Sequence, residues 1–85
     1  MEKYKVEIKK SAVKEIKALP SQVIRKILAQ IASLSDNPRP SQSLKMSGEE
    51  KYRMRCGDYR ILYTIEDNVL TVYVVKVGHR REVYR

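Results

Sequence analysis

Arg53, Arg55 and Arg60 punctuate the segment Tyr52-Arg-Met-Arg-Cys-Gly-Asp-Tyr-Arg-Ile-Leu-Tyr63. The last nine residues, Val77-Gly-His-Arg-Arg-Glu-Val-Tyr-Arg85, add three arginines, a histidine and a tyrosine. The two stretches supply cations and a phenol, with few of the carboxylates that a metal nuclease uses. Such a set suits grasping and cleaving a phosphate backbone without metal. A guanidinium binds phosphate oxygens bidentately, and a fixed donor aimed at developing charge contributes about 3 kcal/mol. In RNA the ribose 2′-OH is itself the nucleophile: it attacks the adjacent phosphorus and releases a 5′-hydroxyl product. The protein then has to align that attack, stabilise the phosphorane and move two protons, and acid–base assistance typically adds about 10²–10⁴-fold. Tyr84, a phenol with an ordinary pKa of about 10, becomes a base when cations lower it, and Arg80 and Arg81 stand beside it in the sequence.

Other chemistries lack their residues. One cysteine and one histidine make no ordinary zinc site. There is no glycine-rich phosphate loop and no Gly-x-Ser-x-Gly elbow. Cys56 alternates with Tyr52 and Met54, the pattern of a packed side chain rather than a nucleophile. No metal and no cofactor is called for. A single cysteine also forbids an internal disulfide and fits a reducing compartment. Without a signal-like or membrane-length apolar run, the expectation is a cytoplasmic protein with no membrane partner.

The elements that must position these residues are legible in the hydrophobic period. Tyr4 to Ile8 alternates like a half-buried strand. Ser11 offers an N-cap to a helix with apolar Ala12, Val13, Ile16 and Leu19. Pro20-Ser21 interrupts it and starts a second helix, with Val23, Ile24, Ile27, Leu28, Ile31 and Leu34 on one side, ended by Asn37-Pro-Arg-Pro40. Lys51 to Cys56 returns to period two, burying one face and leaving the other cationic. Gly57-Asp58 signals a turn, Tyr59 to Ile65 a strand, Glu66-Asp-Asn68 a turn, and Val69 to Val77 the most hydrophobic strand, broken by Gly78. The expected fold is one α+β domain over residues 1–85, in the order β-α-α-β-β-β. A small antiparallel sheet would carry a two-helix hairpin on one face and leave the arginine face open.

A chain of 85 residues buries only about 60% of the surface it exposes when unfolded, so its stability margin is small. Its formal net charge of +8, from 18 Lys and Arg against 10 Asp and Glu, favours a polyanion or an acidic protein as partner. Lysine dominates the first fifty residues and arginine the rest.

Taken together, the opening strand, the hairpin with its Leu19-Pro20 junction, Leu44-Lys45, Tyr52-Arg-Met-Arg55, Gly57-Asp-Tyr-Arg-Ile-Leu-Tyr63 and Val77-Gly-His-Arg-Arg-Glu-Val-Tyr84 resemble a RelE-type toxin of the RelE/ParE toxin–antitoxin superfamily. The likeness runs over almost the whole chain. It implies a ribosome-dependent endoribonuclease that cuts mRNA and arrests translation, held in check by a cognate antitoxin. By motif, Arg53 and Arg55 match basic residues of the second strand of such toxins, and Arg60 an arginine of the third. Arg80 matches a distal arginine that stabilises charge or helps protonate the leaving group, and Tyr84 a terminal tyrosine that acts as base or aligner. His79 is a candidate helper, with an unperturbed pKa suited to a general acid. Lys45, Lys51, Arg81 and Arg85 complete the expected RNA-binding set. Two departures stand out. Arginines at 53 and 55, where some relatives carry lysines, suit electrostatic roles better than proton transfer. The chain stops at Arg85 where some relatives continue into a C-terminal helix, so the antitoxin is expected to block the cationic face directly.

Two other readings use the same residues. A ParE-like inhibitor of DNA gyrase would share the fold but generally lacks this arginine and tyrosine set. A non-catalytic RNA- or ribosome-binding module would share the charge. Taken singly, the strand arginines also serve as guards against edge aggregation, and Tyr84 as a ring folded back on the sheet.

Overall fold

The structure is a computed structural model and describes residues 3–46 and 50–79. Strand β1 (Lys5–Ile8) leads into helices α1 (Lys10–Lys17) and α2 (Ser21–Ser33). Strands β2 (Ser43–Lys45), β3 (Tyr52–Cys56), β4 (Tyr59–Glu66) and β5 (Thr71–His79) follow, with a single 3-10 turn (Asp67–Val69) between the last two. The sheet order is β1-β5-β4-β3-β2.

Ala12 and Ile16 in α1 and Ile27 and Ile31 in α2 are each one helical turn apart and buried. With Leu34 they cover Met54, Ile61, Tyr63, Val72, Val74 and Val77 from the sheet. Proline fixes the junction between the helices. Pro20 takes an extended ψ of 147° as the residue preceding α2, where its missing N–H costs nothing.

Three features differ from the expected antiparallel β-α-α-β-β-β arrangement. β1 pairs β5 in parallel, Lys5 against Thr71 through Ile8 against Val74, so the sheet is mixed. The reason is the hairpin of helices: it carries the chain across one face between β1 and the meander, and a crossover of that kind permits parallel pairing. A short strand, β2, is added at the far edge, too brief for period two to reveal. The last strand starts at Thr71 and runs through Gly78 to His79, so Gly78 does not break it. Gly78 stands opposite Arg60 on β4, and both are buried; a position without a side chain leaves room there for a long one. At the helix starts the difference is small. α1 begins at Lys10, and no side chain caps it.

Two local devices shape the sheet. Gly57, with φ +62°, occupies the first central position of the two-residue β3–β4 turn, where a left-handed residue matches strand twist. Between Leu62, opposite Lys76, and Tyr63, opposite Val74, the ladder shifts register. Val75 is the extra residue of that bulge, and bulges add local twist.

Candidate functional site: an arginine row on the helix-free face

Residues opposite one another in a ladder share a face of the sheet. Met54, Ile61 and Val77 form one such row, and all three are in the core beneath the helices. The adjacent rows must therefore lie on the other face. One is Arg55, Arg60 and Gly78, and the next is Leu44, Arg53, Leu62 and Lys76. Three of the arginines singled out in the sequence thus converge on the face that the helices leave bare. The Gly57-Asp58 turn sets the Arg55–Arg60 pairing, because the tight connection fixes the register of the strands it joins.

The exposure of the three arginines is not uniform. Arg55 is exposed, Arg53 half-buried, and Arg60 only 4% exposed. The expectation of an open cationic surface therefore holds for Arg55 and not for Arg60, which lies sunk in the sheet beside buried Gly78 and Leu62. Its Nη1 contacts the Tyr59 carbonyl at 3.5 Å. Lys76 is turned to the edge, where its ammonium meets Glu15 at 2.9 Å. Lys45 lies on the edge strand, paired with Glu50 at 3.8 Å, and Lys51 immediately precedes β3. Arg80, Arg81, Tyr84 and Arg85 lie outside the described residues.

His79 is on the other side. It faces Tyr59 in the ladder, and Tyr59 faces Cys56, a core residue. The imidazole packs edge-on against the Tyr59 ring, with centroids 5.7 Å apart at 80°. Together they border a cavity of about 330 Å³ with Glu15, Ala18 and Leu19. The sheet separates this ring from the arginine row, so the structure does not bring the candidate helper to the face that carries the arginines. Cys56 is buried, and burial pushes its thiol pKa up, as expected of a packing residue.

Sequence reasoning missed two arrangements that hold this face in shape. β1 pairing ends at Val74, so beyond it β5 has no strand on that side among the described residues. Glu15 of α1 takes the strand's place: Val77 N–H donates to its Oε1 at 3.0 Å, and Lys76 Nζ to its Oε2 at 2.9 Å. At the opposite end of the sheet, Arg39 donates through Nη1 and Nη2 to Asp67 at 3.3 and 2.9 Å, and through Nε to the Tyr52 hydroxyl at 3.0 Å. Tyr4 donates to the same carboxylate at 2.6 Å. Tyr52 stacks on Tyr63 with centroids 5.7 Å apart, and the Tyr63 hydroxyl donates to the Pro38 carbonyl at 2.8 Å. The Arg39 and Tyr4 hydrogen bonds hold the Asp67 carboxyl below its ordinary range. The Asp67 bond in turn holds the Tyr4 phenol above its own. Partners 28 and 63 residues apart in the chain leave no local pattern to read.

Among the described residues no group of three or more His, Cys, Asp and Glu gathers as a metal site, and no helix is long and apolar enough to cross a membrane.

The mixed sheet with a two-helix hairpin on one face is shared with solved toxin structures. The archaeal RelE–RelB complex from Pyrococcus horikoshii matches with a TM-score of 0.83 at 29% identity, covering 93% of this chain and 97% of that one. Residues 6–84 match the family described as the ParE toxin of the type II toxin–antitoxin system parDE, and the chain belongs to that family. Toxin RelG of Mycobacterium tuberculosis is 30% identical, over 96% of this chain and 97% of its own length. A putative toxin of Methanocaldococcus jannaschii, RelE1, is 29% identical over 98% and 97%. The protein is the toxin component of a type II toxin–antitoxin system.

Proposed function

We propose that this toxin is a ribosome-dependent endoribonuclease acting in the cytoplasm, cutting mRNA by attack of the ribose 2′-OH on its own phosphate. The observation that carries the reading is the meeting of Arg53, Arg55 and Arg60 on the helix-free face. Arg55 and Arg53 engage the non-bridging oxygens of the scissile phosphate. Arg60, fixed by burial at the centre of the sheet, meets the charge that develops on the phosphorane; donors held in place before the reaction cost no reorganisation during it. The proton steps fall to the segment after β5: Tyr84 aligns or deprotonates the 2′-OH, and Arg80 stabilises charge as the 5′-oxygen leaves. His79 has no part in this scheme, since its ring faces the helices.

Such a site grips a phosphate but presents little to straighten a flexible strand. Alignment is left to the ribosome, where positioning supplies much of the acceleration. The test is toxin added to programmed ribosomes and, separately, to the same mRNA free in solution. Cleavage on the ribosome with little on free RNA supports the reading.

The second reading is that of a ParE-like inhibitor of DNA gyrase, prompted by the ParE name of the matching family. Inhibited supercoiling by purified gyrase, with intact mRNA in a translating extract, would establish that reading in place of the first.

A further inference from the structure

We propose that the trough between α2 and the turn end of β3 binds the sugar-phosphate backbone of a second stretch of RNA, beside the stretch held by the arginine row. The inference rests on the RNA-directed reading above and extends it to a surface outside the cutting site.

The trough exists because β2 is short. Its pairing with β3 ends at Ser43 opposite Met54, so Arg55, Cys56 and Gly57 have no strand beside them on that side among the described residues; on the other side Arg55 and Cys56 pair with β4. α2 runs beside that uncovered edge, and between them lies a shallow, solvent-open hollow of about 560 Å³. Lys26 and Gln30 come from the helix, Arg55 from the strand, and Gln42 from the loop before β2. Gln42 Nε2 donates to Gln30 Oε1 at 3.2 Å, tying the loop to the helix.

The lining identifies the ligand. It has two cations and no carboxylate, which selects an anion. Its carboxamides offer donors and acceptors that fit phosphate oxygens and ribose hydroxyls. Neither an aromatic ring nor a large aliphatic side chain lines it, so it cannot stack a base and gives an acidic peptide helix no apolar anchor. Arg55 belongs both to the trough and to the arginine row, making one cationic track around the edge of β3.

The experiment replaces Lys26, which is exposed on α2 and outside the proposed catalytic set. Binding of wild type, Lys26→Gln and Lys26→Arg is measured against salt on a single-stranded oligoribonucleotide, on vacant ribosomes and on programmed ribosomes, with thermal melts as the folding control. For Lys26→Gln the expected results are an unchanged melting temperature, affinity lower by about tenfold, and a salt slope shallower by about 0.7, the value for one single-strand phosphate. Lys26→Arg should restore the slope. Weakening on vacant ribosomes assigns the second stretch to ribosomal RNA; weakening only where mRNA is present assigns it to the message. Unchanged affinity and slope on all three, or a loss confined to antitoxin binding, overturns the inference. A wild-type protein that binds RNA without cutting it sinks the nuclease reading instead, leaving the Lys26 comparison intact.

Discussion

Arg55 and Arg60 stand directly opposite each other across the β3–β4 ladder, one exposed and the other 4% exposed. Like charges in that relation destabilise a sheet, and a chain selecting only for stability has every reason to avoid it. Arg55→Thr removes the repulsion and adds a β-branched side chain, so stability should rise by about 0.2–1 kcal/mol, read from urea denaturation. Activity should fall in the same protein. A variant that loses stability would mean that the pair is structural.

Glu15 should matter to the sheet more than an exposed helix acid usually does. Glu15→Ala deprives the Val77 N–H of its acceptor, and an unsatisfied buried donor costs about 1–3 kcal/mol. Glu15→Gln keeps an acceptor oxygen for Val77 and gives up only the charge shared with Lys76, so most of the stability should remain. Equal losses in the two variants, by chemical denaturation, would assign the effect to Lys76.

Tyr63 is fully buried with its hydroxyl on the Pro38 carbonyl. Tyr63→Phe keeps the ring stacked on Tyr52 and orphans that carbonyl, for a loss of about 1–3 kcal/mol. The midpoint of denaturation should fall with an unchanged slope against denaturant.

Acid should loosen the latch at Asp67. Its pKa is depressed in the folded protein, first by the Arg39 hydrogen bond and then by Tyr4. The stability it contributes is therefore fully present above the unfolded carboxylate value of about 3.9 and is lost as pH falls through the lower folded value. Both partners are half exposed, so salt should shrink the effect. Asp67→Asn should be less stable than wild type at neutral pH, with the gap closing in acid. A gap that stays constant from neutral pH to pH 3 would contradict the assignment.

The sequence carried the local part of this fold well. Ile27, Ile31 and Leu34 announce α2 by spacing, and Met54 alternating with Arg53 and Arg55 announces which side of β3 is wet. It carried the long-range part poorly. Three residues are too few for β2 to show a period, and the parallel β1–β5 pairing is decided by where the hairpin delivers the chain. Gly78 was misleading for a related reason: glycine reads as a breaker locally, yet opposite Arg60 it serves the ladder. The arginine row was legible because alternation alone puts Arg53 and Arg55 on one face. His79 was not, since only the register with Tyr59 shows that its ring faces the helices.

The most direct test of the central claim is single-turnover cleavage of mRNA on programmed ribosomes, comparing wild type with Arg55→Ala and identifying the new RNA ends. The arginine row predicts a 5′-hydroxyl product from the wild type and a rate for Arg55→Ala lower by about 10²–10³-fold, the usual loss on removing one donor to developing charge. A 5′-phosphate product, or an Arg55→Ala protein that cuts at the wild-type rate, would contradict it.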